Sequence, residues 1–105
     1  MSEEGRSGRK SITVGTSVVV VSDQQTFSKR VLFSLINTST GGQTISIAFG
    51  QDAAASQGVV LAPGGYYSES KDPSFDPTND QITAVSSGAG GTLALMERVI
   101  TPGSK

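Results

Sequence analysis

Phe49-Gly50-Gln51-Asp52-Ala53-Ala54-Ala55-Ser56-Gln57-Gly58-Val59-Val60-Leu61-Ala62-Pro63-Gly64-Gly65-Tyr66-Tyr67 leaves one predicted strand, crosses a loop of small residues and turns on Pro-Gly-Gly into another strand. Proline presets φ and glycine admits φ > 0, which together meet the requirement of a type II turn. Ala53 to Ala55 is enough for one helical turn and too little for a helix that stands without packing. These are the parts of a β-sandwich connection, and the segment carries no evident catalytic apparatus.

Working outward, Thr44-Ile45-Ser46-Ile47-Ala48-Phe49 alternates strictly, so Ile45, Ile47 and Phe49 are expected to face inward. Before it, Arg30-Val31-Leu32-Phe33-Ser34-Leu35-Ile36-Asn37 sends Val31, Phe33 and Leu35 to one face and Leu32, Ser34 and Ile36 to the other, the pattern of a central strand. The polar cluster Asn37-Thr38-Ser39-Thr40-Gly41-Gly42 predicts a hairpin between these two strands. Ile12-Thr13-Val14 and Val18-Val19-Val20-Val21 read as strands with a bend or bulge at Gly15-Thr16-Ser17. The valine run implies burial on both faces or an edge covered by a partner.

Downstream, Asp72, Pro73, Asp76, Pro77, Asn79 and Asp80 mark an exposed loop, because the prolines prevent both helix and central strand. A short strand over residues 81–86, the turn Gly88-Ala89-Gly90-Gly91 and a last strand over 92–100 complete the chain, with Glu97 interrupting the apolar face of Leu93, Leu95 and Val99. The expected fold is all-β, a single antiparallel jelly-roll-like sandwich of about eight short strands. Residues 1–11 are too polar to offset their own ordering and read as a flexible arm, 12–100 as the sandwich and 101–105 as a tail.

A chain of 105 residues with 8 basic and 9 acidic side chains is one domain without a field to gather nucleic acid or anionic lipid. The first ten residues hold no apolar run of the kind a signal peptide needs, and no later run is long enough to span a bilayer, so neither a membrane nor nucleic acid is expected as a partner. Histidine and cysteine are absent, which removes the commonest general base, the commonest metal ligand, the thiolate nucleophile and every disulfide. A serine nucleophile is left with Lys29 or Lys71 as its base, and Lys71 sits in a solvated loop. No enzymatic activity, cofactor or resident metal is therefore expected. Asp72, Asp76 and Asp80 recur every four residues, but they lack the EF-hand spacing and its terminal glutamate and read as turn chemistry. Tyr66 and Tyr67 are adjacent strand residues that point opposite ways, so at least one is outside, where tyrosine is enriched at interfaces.

The succession of alternating strand, Phe49-Gly50, small-residue loop, Gly58-x-x-Leu61-x-Pro63-Gly64, polar loop, Ile82-Thr83-Ala84-Val85 and Leu93-Ala94-Leu95-Met96-Glu97 resembles small β-sandwich virion proteins. Such proteins are the head-decoration, turret, spike or minor capsid components of tailed phages and icosahedral viruses. The resemblance covers residues 11–100 and implies a non-enzymatic part of a symmetric particle, made in host cytoplasm, located in the virion and partnered by its own copies and other capsid proteins. The expected interface residues are Arg9, Lys10, Val18, Val20, Tyr66 and Tyr67, serving strand addition or a clasp on a neighbour. The rival expectation is a module that binds carbohydrate or a cell surface, such as a host-surface glycan, through the two tyrosines and the aspartate loop.

Overall fold

The computed structural model describes residues 4–101. Eight strands follow in order: β1 (Glu4–Val14), β2 (Val19–Ser22), β3 (Lys29–Asn37), β4 (Ile45–Phe49), β5 (Val59–Leu61), β6 (Tyr66–Ser70), β7 (Ile82–Ser86) and β8 (Gly91–Thr101). They form two four-stranded antiparallel sheets, ordered β1-β8-β3-β6 and β2-β7-β4-β5. Four turns, over residues 15–18, 38–44, 62–65 and 87–90, each carry the chain from one sheet to the other. Alternating sheets in this way is jelly-roll winding, so the all-β sandwich expected from sequence is the fold observed.

The hairpin expected between β3 and β4 is instead a corner between the two sheets, since β4 pairs with β5 and β7. Each of the two strands turns one apolar row to the interior. Placing them in opposed sheets buries Phe33 and Leu35 together with Ile45 and Ile47 in the common interior, all without solvent exposure. Burial of each such side chain stabilises the fold by about 1.5–3 kcal/mol. The Pro63-Gly64 turn is also a corner, from β5 in one sheet to β6 in the other. Gly64 has φ +82°, and the Gly65 N–H donates to the Ala62 carbonyl at 2.7 Å, as the type II prediction requires.

The arm expected over residues 1–11 is strand from Glu4 onward, in continuous register with β8 from Glu4↔Thr101 to Val14↔Gly91. The low apolar content that argued for a mobile arm is no obstacle here, because β8 offers a row of backbone partners that do not depend on side-chain hydrophobicity. The sandwich therefore begins well before residue 12, while residues 1–3 and 102–105 of the predicted arm and tail lie outside the described residues.

The β2-β7-β4-β5 sheet is covered on both sides along its central strands, while Val20 and Val60 stay exposed on its edge strands β2 and β5. Every residue of β7 is buried. On the face away from the core, residues 50–58 fold back over the sheet: Thr83 Oγ1 donates to the Gln51 carbonyl at 2.6 Å and the Ser56 N–H to Ser46 Oγ at 2.8 Å, with Ala53 buried beneath. Gly58 permits this approach, since a Cβ there would stand 2.6 Å from the Ile47 carbonyl oxygen.

Candidate interaction surface

The outer face of the β1-β8-β3-β6 sheet has no comparable cover among the described residues. Register places Ser11, Ala94, Ile36 and Tyr66 in one row across its four strands, and Arg9, Met96, Ser34 and Ser68 in the next. Leu32, Ile36 and Met96 are 36%, 40% and 49% exposed, and Tyr66 is 71% exposed at the far edge. A shallow groove of about 370 Å³ runs over this face between Arg9, Lys10, Ser11, Ile36, Ala94 and Met96. Exposed apolar side chains arranged across neighbouring strands, with cations along one margin, form a surface suited to covering by another molecule.

Four of the residues expected at an interface lie on two edge strands of opposite sheets and on the turn between them. Arg9 and Lys10 are exposed on β1, Val20 is exposed on β2, and Val18 is exposed in the turn that joins these two edge strands. Tyr66 stands across the sheet on β6, at the opposite edge.

Tyr67 departs from its expected surface role, because strand alternation turns it inward. Its ring lies 6.1 Å from Phe33 and 5.9 Å from Phe49, a tilted three-ring cluster at one side of the core. Its hydroxyl donates to Glu69 Oε2 at 2.5 Å, and that bond, followed by burial and the nearby carboxylate charge, pushes the phenol up to about 12. The other Glu69 oxygen accepts the Thr78 N–H at 2.9 Å.

Sequence reading missed the residue that organises the loop end of this surface. A bulge between Arg30 and Leu32 shifts β3 by one residue against β8, so Arg30 faces inward along with Phe33. Its guanidinium is fully buried, and all five N–H groups are used. Nε meets Glu97 Oε2 at 3.0 Å, Nη1 reaches the Thr78 and Asp80 carbonyls at 3.0 and 2.8 Å, and Nη2 reaches Ser22 Oγ and the Asp23 carbonyl, each at 2.8 Å. The signal was present in Glu97: a carboxylate in an apolar row needs a buried cation, and Arg30 opens the central strand.

The loop aspartates do not converge. Asp72 caps Ser74, Asp76 pairs with Lys71 at 2.5 Å on the exposed surface, and Asp80 offers its carbonyl to Arg30. Among the described residues no three acids gather as a metal site.

No family model and no curated sequence matches the chain. Solved structures do. A structure of Bacillus endospore appendages, described as disulfide-linked pili, aligns with 98% of this chain and 90% of its own at a TM-score of 0.60 and 18% identity. The coat protein dimer of Tobacco streak virus aligns over 98% and 88% with a TM-score of 0.52 and 11% identity. The extra small virus particle of the prawn Macrobrachium rosenbergii aligns over 99% and 82%, at 0.51 and 6%. At these identities the likeness is one of fold, and it extends over nearly the whole sandwich.

Proposed function

We propose that this protein is a non-enzymatic structural subunit that works by self-association and docking, as a decoration or minor capsid component of a virion. The observation that carries the reading is the asymmetry between the two sheets: residues 50–58 cover the centre of one outer face, where β7 is wholly buried and exposure falls on Val20 and Val60 of the edge strands, whereas the other leaves Leu32, Ile36, Tyr66 and Met96 exposed across its outer face. A subunit needs such a face for neighbours and needs no reactive group on it. Coat proteins and pili with the same fold lend support, since their structures are those of assemblies built from repeated copies. Having no cysteine, this chain would hold its contacts by burial and hydrogen bonding, without the disulfide links described for the endospore pili. In this role it is made in host cytoplasm and ends in the particle.

Sedimentation over a wide concentration range, with electron microscopy of the concentrated protein, tests the proposal. Closed rings, small oligomers or ordered arrays are the expected result, and Met96→Glu should weaken them. A chain that remains monomeric while binding glycans through Tyr66 would replace this reading with the carbohydrate-binding module.

A further inference from the structure

Four strands lie at sheet edges, and they differ in one respect that matters. β2, β5 and β6 are short, and β2 contains a register shift, but β1 runs for 11 residues, has no proline and pairs with β8 without interruption. Among the described residues no strand pairs with its other side, which is an edge of the sheet. Long regular edges offer a row of backbone donors and acceptors to another strand, and proteins that avoid such pairing shorten, bulge or cover them.

The geometry points to β1 as a homodimer edge, with two copies pairing antiparallel about a twofold axis at Ser7 and joining their four-stranded sheets into one of eight strands. This rests on the reading that the chain self-associates, and it names the surface and the register. Residues opposed in an antiparallel pair lie on the same face of the sheet. A twofold normal to the sheet therefore has to pass through a residue position, since an axis between two residues would oppose side chains from opposite faces. Each permitted centre can be judged by the charges it opposes. A centre at Arg6 sets Arg6 against itself, one at Gly8 sets Arg6 against Lys10, and one at Arg9 sets Arg9 against itself. Like charges directly opposed destabilise a strand pair. A centre at Ser7 sets Glu4 against Lys10 at both ends, Gly5 against Arg9, and Arg6 against Gly8. Two opposite-charge pairs then flank positions where each arginine meets a glycine that has no side chain to oppose it. A centre at Gly5 also opposes acid to base, Glu4 to Arg6, but it pairs only residues 4–6 of β1, whereas the Ser7 centre pairs residues 4–10 without opposing like charges, so the sequence Glu4-Gly5-Arg6-Ser7-Gly8-Arg9-Lys10 is complementary to itself on the edge that the fold leaves open.

Charge reversal tests the register. Sedimentation equilibrium of the full chain should show that E4K and K10E each weaken the dimer about tenfold, while E4K/K10E returns to within about threefold of the wild type, because the swap restores both pairs. A second measurement does not depend on charge. The natural chain has no cysteine, so S7C places one thiol against its own copy at the axis and should form a disulfide dimer under mild oxidation, whereas T13C should not. Circular dichroism checks that each variant keeps its sheet, and if a charge variant has lost it, S7C decides. A wild-type oligomer that tolerates both single reversals, or an S7C chain that fails to cross-link while still oligomeric, overturns the β1 pairing and leaves self-association standing. A wild-type chain that is monomeric throughout overturns both.

Discussion

The two ends of the sandwich are closed by different chemistry. At the end where residues 23–28 and 71–81 cross, the interior is plugged by the Arg30–Glu97 ion pair, of which Arg30 is buried and Glu97 partly exposed; at the end of the tight turns it is plugged by the buried Asn37. Asn37 Nδ2 donates to the Gln43 and Leu61 carbonyls, each at 2.8 Å, and Oδ1 accepts the Ser39 N–H at 2.9 Å. Its backbone bonds Gly64 and Gly65. An amide suffices where turns are short and hold their own shape. The long loop over residues 71–81 needs more anchors, and a guanidinium supplies five N–H groups in a rigid plane. Thr78 shows the result: Glu69 holds its N–H and Arg30 its carbonyl, so one loop residue is fixed from both sides.

The contrast can be broken most severely at the charged end. Arg30→Met should cost about 3–5 kcal/mol in urea unfolding, because Glu97 is left without its cation and the loop carbonyls without donors. Adding Glu97→Leu should recover most of that loss, yet hydrogen exchange over residues 71–81 should stay fast, which separates stability from loop order. At the other end Asn37→Ala should cost about 2–3 kcal/mol, for buried carbonyls and an N–H left unpaired, with exchange rising in the turns and not in the long loops.

Smaller effects sharpen the same contrast. Tyr67→Phe removes the bond to Glu69 and should cost about 1 kcal/mol near neutral pH. The unfolded phenol ionises near 10.0 and the folded one near 12, so the folded state keeps its proton longer. The stabilisation is complete below pH 10 and is lost as pH rises through 12, and the variant should flatten the fall in stability over that window. Lys71→Ala should leave the unfolding midpoint unchanged within error, although its pair with Asp76 raises the lysine and lowers the aspartate. Both side chains are more than half exposed, and solvent screens such pairs. A large loss there would show that the loop end depends on its surface charges as well as its buried ones.

Sequence reading reached the fold through alternation. Ile45 and Ile47, Phe33 and Leu35, and Leu93 and Leu95 all face the core as their spacing predicts. Two features escaped it. β1 carries glycine and charge where an apolar row would have marked a strand, and its partner is a backbone edge contributed by the far end of the chain. Arg30 entered the core through a bulge, and a one-residue slip in β3 exchanges the faces that alternation assigns to Arg30 and Val31. Of the interface candidates, Arg9, Lys10, Val18, Val20 and Tyr66 are exposed, whereas Tyr67 is turned toward the core by the same parity that keeps Tyr66 outside.

The pairing of Glu4 with Thr101 sets the first and last described positions side by side. A short peptide bridge could join such neighbours, and the chain could then be cut open in one of the tight turns to give a circular permutant with the same strand neighbours. For engineering, cargo fused before β1 or after β8 would leave from one pole of the sandwich, and the opposite pole with its glycine corners would stay clear.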